Sequence, residues 1–169
     1  MRLSLIRDVR PPERAHKWDS GVDFFIPKFN STFRLDLAEK NKMRDYLIQE
    51  FENEAAIRLS AHEEILIPAG VKVDVPKGYT FNFENKSGVA SKLGLIIGAK
   101  VIDHGYQGEV HINLINSTNQ AVLIHEGQKI VQGIQYKINN DMVEIVPIDN
   151  LYNVESERSD GGFGSSDNK

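Results

Sequence analysis

The last residues of the chain place one cation and one aromatic ring in an otherwise small and polar segment. Residues 155–169 read ESERSDGGFGSSDNK, in which glycines separate Arg158 from Phe163. Arginine can bind phosphate oxygens with its fork of N–H donors, and an aromatic ring can stack on a nucleobase. The composition predicts a flexible tail. The two side chains indicate that this tail could close on a ligand that carries phosphate and a base.

A lone carboxylate, Asp103, stands in a second segment that could do chemistry. Residues 101–116 (VIDHGYQGEVHINLIN) alternate apolar and polar residues as a strand does, but an Asp-His-Gly-Tyr-Gln-Gly turn interrupts them. Most Asp-x-Gly stretches simply form a hairpin turn. A chemical role for Asp103 therefore depends on partners elsewhere in the chain.

Short strands must position these residues. Runs rich in Val, Ile and Phe, bounded by Gly, Pro, Asn or Asp, recur from RLSLI at residues 2–6 to MVEIVPI at residues 142–148. The strands do not alternate with helices, as they would in a parallel sheet. The pattern predicts an all-β sandwich or barrel.

Residues 36–60 interrupt the strand pattern and predict a helix. Asp36 and Glu39 have the spacing of a capping box, and Glu54 and Arg58 have that of an i,i+4 ion pair. The apolar residues recur every four positions, at Met43, Leu47, Phe51 and Ala55. This apolar stripe could bind a protein partner, although such stripes more often pack on their own domain.

The composition bounds the function. The chain has 169 residues, 40% of them hydrophobic, which suits one globular domain. A net charge of -4 without a basic stripe argues against a nucleic-acid partner, and the absence of cysteine excludes thiolate metal sites and thiol nucleophiles. Neither a signal-like segment nor a bilayer-spanning window is present, so we expect a soluble, cytoplasmic protein without a membrane partner.

Five segments, in this order, resemble the motifs of the trimeric dUTPases. They are residues 20–24 (SGVDF), 85–90 (NKSGVA), 100–108 (KVIDHGYQG), 127–132 (GQKIVQ) and 158–165 (RSDGGFGS). The third and fifth segments are the specific ones. The resemblance implies a distorted jelly-roll barrel over residues 1–154, with the helical segment as an insertion, and a tail at 155–169 that closes over the active site. It also implies a homotrimer whose subunits share active sites.

The resemblance assigns roles to particular residues. It implies hydrolysis of dUTP to dUMP and pyrophosphate, with Asp103 activating the water and Tyr106 leaving no room for a 2′-hydroxyl. Asp23 would reach Mg²⁺ through water, and the substrate phosphates would hold most of the metal. Substrate contacts are implied for Lys86, Ser87, Gly88, Ala99, Lys100, Val101, Ile102, Tyr106, His111, Gln132, Arg158, Phe163, Gly164 and Ser165.

Departures from the family pattern leave alternatives open. Lys86 replaces the usual Arg, Lys100 a Gly and Gln128 an Asp. A dCTP deaminase is less favoured, because Asn113 stands where that family has its catalytic Glu. A nucleotide-sensing or protein-binding module that uses the inserted segment is the other alternative.

Overall fold

The structure is a computed structural model of the chain, and it describes residues 1–42, 48–52, 54–154 and 156. The described residues form mainly antiparallel β-structure, which confirms the predicted mostly-β fold. The α-helices are α1 (Ser31–Lys40) and α2 (Ser87–Leu93). The strands are β1 (Arg2–Leu5), β2 (Val22–Phe25), β3 (Ile48–Glu50), β4 (Ala55–Leu59), β5 (Glu64–Pro68), β6 (Val71–Asp74), β7 (Tyr79–Asn85), β8 (Leu95–Ile97), β9 (Val101–Ile102), β10 (His111–Asn116), β11 (Val122–His125) and β12 (Lys129–Lys137).

Four small sheets position the segments of interest. Their strand orders are β1-β6, β5-β10-β8, β11-β4-β3 and β2-β12-β7-β9. In the last sheet, Gln132 of β12 faces Asp23 of β2 on one side and Glu84 of β7 on the other. Strand pairing therefore brings the first, second and fourth motif segments together.

Alternation of side chains builds the core. In β10, Ile112, Leu114 and Asn116 are buried, while His111 and Asn113 lie on the opposite face. A cluster of phenylalanines fills the space between β2 and β7, where the rings of Phe24 and Phe83 are 5.0 Å apart and nearly perpendicular. Edge-to-face contacts of this kind favour a fixed arrangement of the rings.

The prediction of a helix over residues 36–60 is wrong for most of the described part of that range. Helix α1 begins earlier, and its N-cap is Asn30, whose side chain accepts from the N–H of Phe33 at 3.0 Å. The predicted capping box at Asp36 therefore lies inside α1, and β3 and β4 follow the helix. A spacing of four fits two strand periods as well as one helical turn, so this pattern could not separate the two. Met43 and Leu47 lie outside the described residues.

The predicted ion pair between Glu54 and Arg58 is also wrong. Arg58 lies in β4, where residues four apart are not neighbours. It donates to the hydroxyl of Ser60 at 3.1 Å, while Glu54 lies 3.1 Å from His125.

The chain divides into two compact units, Met1–Asn139 and Asn140–Lys169. The first contains all the strands and α-helices described above, and the second contains a 3-10 helix at Ile148–Asn150. The strand expected at residues 142–148 does not form. Met142 and Ile145 are 94% and 95% exposed, and no strand in the described residues pairs with this segment. The predicted boundary between barrel and tail at 154/155 stays a prediction.

Among the described residues, no helix is both long enough and apolar enough to span a membrane.

Candidate active site

A pocket of about 470 Å³ lies at the turn that carries Asp103. Its volume is in the range of pockets that hold small ligands, about 300–1,000 Å³. Strand β9 leads into this turn and β10 leads out of it. The lining residues are Leu66, Ala99, Lys100, Val101, Ile102, Asp103, Tyr106, Val110 and His111. The structure thus brings together the expected catalytic residue and six of the expected substrate-binding residues.

Two glycines shape the turn. Gly105 has φ of +87°, a backbone conformation that other residues rarely adopt. A Cβ at Gly108 would lie 2.4 Å from the hydroxyl oxygen of Tyr106. The side chain of Tyr106 folds back over this glycine and donates its hydroxyl to the carbonyl of Glu109 at 2.8 Å. Only glycine at position 108 permits this placement of Tyr106 at the pocket.

His111 is held by the same carbonyl. Its Nδ1 lies 2.9 Å from the carbonyl oxygen of Glu109, so Nδ1 carries the proton and donates. Burial lowers the pKa of His111, against the opposing effect of Glu109, and the charges of Lys40 and Arg7 lower it further. The imidazole is therefore neutral at physiological pH, with Nε2 as an acceptor.

Asn113 of β10 ties the segment at Ala99 to strand β5. Its side-chain oxygen accepts from the N–H of Ala99 at 2.8 Å, and its amide donates to the carbonyl of Ile65 at 3.3 Å. The carbonyl of Lys100 accepts from the N–H of Phe83 at 3.1 Å. The Ala99 N–H is thus occupied, so a ligand would use other N–H donors of this segment, while the Lys100 carbonyl can accept a second hydrogen bond.

The side chain of Lys100 forms an ion pair and is not a free cation in the pocket. Its ammonium lies 2.9 and 3.0 Å from the two carboxylate oxygens of Glu84. The Lys100 ammonium is therefore paired with a neighbouring side chain of the sheet.

A second polar cluster forms around Asp23, which is buried. The ammonium of Lys129 lies 2.8 Å from one carboxylate oxygen, and that of Lys86 hydrogen-bonds to the other. Burial alone would raise the pKa of Asp23, but the hydrogen bonds and charges of Lys129 and Lys86 outweigh it and lower the pKa. Asp23 is an ionised carboxylate that holds two lysines side by side.

Gln132 connects this cluster to the segment at residues 85–90. Its side-chain amide donates to the carbonyl of Asn85 at 2.8 Å, directly before Lys86 and the start of α2 at Ser87. A Cβ at Gly21 would lie 2.0 Å from the side-chain oxygen of Gln132. Glycine at position 21 is therefore required for Gln132 to lie there.

Comparison with known proteins decides the family. Residues 52–167, more than half of the chain, match the family model described as dUTPase. The chain belongs to the dUTPase family. The deoxyuridine 5'-triphosphate nucleotidohydrolase of Mycobacterium sp. (strain JLS) is 30% identical over 168 residues, which cover 97% of this chain and 92% of that protein. The corresponding protein of Mycolicibacterium gilvum is 31% identical and covers 97% and 94%. The chain is accordingly an enzyme of nucleotide hydrolysis.

Solved dUTPases share its fold. The dUTPase of Staphylococcus bacteriophage 80alpha, in a mutant form with dUpNHpp, has a TM-score of 0.70 and 25% identity, covering 98% of this chain and 96% of that one. The dUTPase of phage phi11 of S. aureus, described with a structural Mg(II) ion, has a TM-score of 0.65 and 24% identity, covering 86% and 95%. These similarities confirm the expected jelly-roll-like fold.

Within the described residues, the second and fourth dUTPase motif segments do not line the pocket that the third segment forms. Lys86, Ser87 and Gln132 do not contribute to the lining of the pocket at Asp103, as far as the described residues show. Ser87 begins α2, and a Cβ at Gly88 would meet nothing within 4 Å. Arg158, Phe163, Gly164 and Ser165 lie outside the described residues. The pocket and the Asp23 cluster are two separate parts of this dUTPase chain.

The residues around Asp23 do not fit a metal ion that protein side chains bind directly. Both carboxylate oxygens already accept from lysine ammonium groups, which would compete with a hydrated cation. No group of three or more His, Asp or Glu side chains in the described ranges is arranged to hold a metal ion. The predicted contact of Asp23 with Mg²⁺ through water stays a prediction.

Sequence reasoning missed Lys129 and Glu109. Lys129 stands in the fourth motif segment, but its contact with Asp23 depends on the register of β12 against β2. Glu109 directly follows the third motif, and its carbonyl is the common acceptor for Tyr106 and His111. The position of Glu109 next to Gly108 was the one feature of the sequence that could have pointed to it.

Proposed function

We propose that the chain hydrolyses dUTP to dUMP and pyrophosphate through a water molecule that Asp103 activates. The carboxylate of Asp103 accepts a proton as the water oxygen bonds to the α-phosphorus. The bond from this phosphorus to the bridging oxygen breaks, and pyrophosphate leaves with that oxygen. The observation that carries the proposal is the pocket in which Asp103 and Tyr106 lie beside residues 99–102 and His111.

The pocket suits a deoxynucleoside. Tyr106 is pinned over Gly108, so its ring cannot retreat from a ligand that carries an extra hydroxyl. Backbone groups of residues 99–102 can read the base edge, apart from the Ala99 N–H, which donates to Asn113. A base with mismatched donors would leave buried polar groups unpaired, which is costly.

The triphosphate is proposed to bind at the segments around Asp23. Lys86 supplies positive charge, Ser87 and Gly88 offer hydroxyl and N–H donors at the start of α2, and Gln132 lies beside them. Arg158, Phe163, Gly164 and Ser165 of the tail would close over phosphate and base. Mg²⁺ would enter with the phosphate oxygens, since the described residues offer it no cage of their own.

A homotrimer with shared active sites explains the separation of the two parts. Because Lys86, Ser87 and Gln132 do not line the pocket of their own chain, a complete site requires a second copy to supply them or to supply the pocket. This arrangement gives each trimer symmetry-related sites built from more than one subunit.

A substrate panel tests this function. Purified protein with Mg²⁺ should convert dUTP to dUMP and pyrophosphate and leave dCTP, dTTP and UTP largely intact. Release of orthophosphate, or equal turnover of UTP and dUTP, would contradict the proposal. Deamination of dCTP is not expected, because the amide of Asn113 cannot serve as an acid or base and is bonded to Ala99 and Ile65. Binding of dUTP without any product would favour a nucleotide-sensing module.

A further inference from the structure

An ion pair outside the recognised motifs lies directly behind the turn. Arg7 donates from Nε and from one terminal nitrogen to the two carboxylate oxygens of Glu109, at 2.7 and 2.6 Å. The side chains of Arg7 and Glu109 are 11% and 12% exposed. This two-point contact between planar groups fixes their relative orientation.

Further contacts hold both members of the pair. The N–H of Gly70 donates to Glu109 at 2.8 Å, and Arg7 also donates to Asp36 of helix α1 at 2.5 Å. The N–H of Ile6, beside Arg7, donates to the carbonyl of Gly70 at 2.9 Å. Glu109 is thus anchored to Arg7 in the segment after β1, to Gly70 and, through Arg7, to α1.

The backbone of Glu109 passes this anchoring to the pocket. Its carbonyl oxygen accepts from the Tyr106 hydroxyl at 2.8 Å and from Nδ1 of His111 at 2.9 Å. Both of these side chains line the pocket with Asp103. One peptide group therefore sets the positions of two pocket side chains, and the Arg7–Glu109 pair sets the position of that peptide group.

We propose that Arg7 and Glu109 are positioning residues that hold Tyr106 at the place where it excludes a 2′-hydroxyl. Neither residue touches the substrate. This inference rests on the proposed function, because it concerns the selectivity of the same pocket. A buried ion pair often stabilises a protein no more than well-packed apolar residues would. Stability alone therefore does not explain the Arg7–Glu109 pair, and its place behind the turn indicates a further role.

The ratio of kcat/KM for dUTP to that for UTP is the measurement that separates positioning from stability. Both values come from one preparation, so the fraction of folded enzyme cancels from the ratio. Glu109→Gln keeps the shape of the side chain but loses its charge, and Arg7→Lys keeps the charge but loses the fork. Each should lower the ratio by about tenfold or more, the effect of losing one positioning hydrogen bond. Arg7→Lys keeps the test available if Glu109→Gln does not fold.

Two further variants sharpen the result. Tyr106→Phe removes the hydroxyl that Glu109 holds, and it should lower the ratio by a similar factor. Combining it with Glu109→Gln should produce little additional loss, because both changes break the same connection. Glu50→Gln is the matched control, since Glu50 forms a more exposed ion pair with Arg34 at 2.7 Å, and it should leave the ratio unchanged.

Failure of this inference can be distinguished from failure of the proposed function. If the wild-type protein does not hydrolyse dUTP, the proposed function fails and this inference falls with it. If the wild-type protein is selective and the Arg7 and Glu109 variants keep its ratio, this inference alone is overturned. An equal fall of the ratio in Glu50→Gln would overturn it too.

Discussion

The ammonium of Lys129 in β12 reaches across to Asp23 of the neighbouring strand β2, with 2.8 Å between the nitrogen and a carboxylate oxygen. Lys86 binds the second carboxylate oxygen. Because the Asp23 side chain is only 6% exposed, it cannot be released to water without opening the sheet. One carboxylate thus organises two cations where the triphosphate is proposed to bind.

Asp23→Asn should destabilise the protein, because it leaves two lysines side by side without their counter-charge. We expect the free energy of unfolding to fall by about 1–3 kcal/mol, less than for a fully buried pair, since both lysines are partly hydrated. Urea unfolding at neutral pH measures the change. Asp74→Asn is the control, because its pair with Arg2 is exposed and its removal should cost about 0.5 kcal/mol or less. Equal stability of Asp23→Asn and the wild type would show that the lysines do not depend on Asp23.

Gly108→Ala should displace the ring of Tyr106, since the new methyl group would lie 2.4 Å from its hydroxyl oxygen. The selectivity for dUTP over UTP should fall while the protein stays folded. The same substitution in a Tyr106→Ala background should have no further effect on selectivity, because no ring remains to be displaced. A further loss in that background would mean that Gly108 acts through another contact.

The stability of the protein should depend on His111 below neutral pH. Because burial lowers the folded-state pKa of His111 below its ordinary value, the unfolded chain binds a proton first as the pH falls. The contribution of His111 is complete above about pH 6.5 and is lost as the pH falls from there through the lower folded-state pKa. Urea midpoints between pH 7.5 and 5 should fall more steeply for the wild type than for His111→Gln. Parallel slopes would contradict this assignment.

The sequence predicted the strands of the sheets better than the structure of residues 36–60. Alternation identified β10 and β12, because one face of each strand is buried and the other is not. The four-residue spacing at positions 43–55 could not distinguish a helix from strands, since it fits both the helical and the strand period. The motif resemblance identified the pocket residues between positions 99 and 111, but it did not identify Leu66 and Val110, which also line the pocket. Arg7 and Glu109 were not identified either, because 102 positions separate them and only the folded chain brings them together.

Mixed trimers should reveal whether subunits share active sites. Asp103→Asn and a chain that ends at Val154 should each be almost inactive alone. If subunits mix at random in equal amounts and different chains supply Asp103 and the tail, about one half of one half, or a quarter, of the sites will be intact. Co-refolding followed by activity assays, with mixing checked by native mass spectrometry, measures the recovery. Verified mixed trimers without activity would mean that one chain supplies both parts.

The turnover of Asp103→Asn with saturating dUTP and Mg²⁺ tests whether the carboxylate of Asp103 activates the water. The substitution keeps the size of the side chain but removes the base, so the affinity for dUTP should be retained. We predict that turnover falls by at least about a hundredfold, the lower range for loss of a general base. Turnover close to that of the wild type would show that another group activates the water.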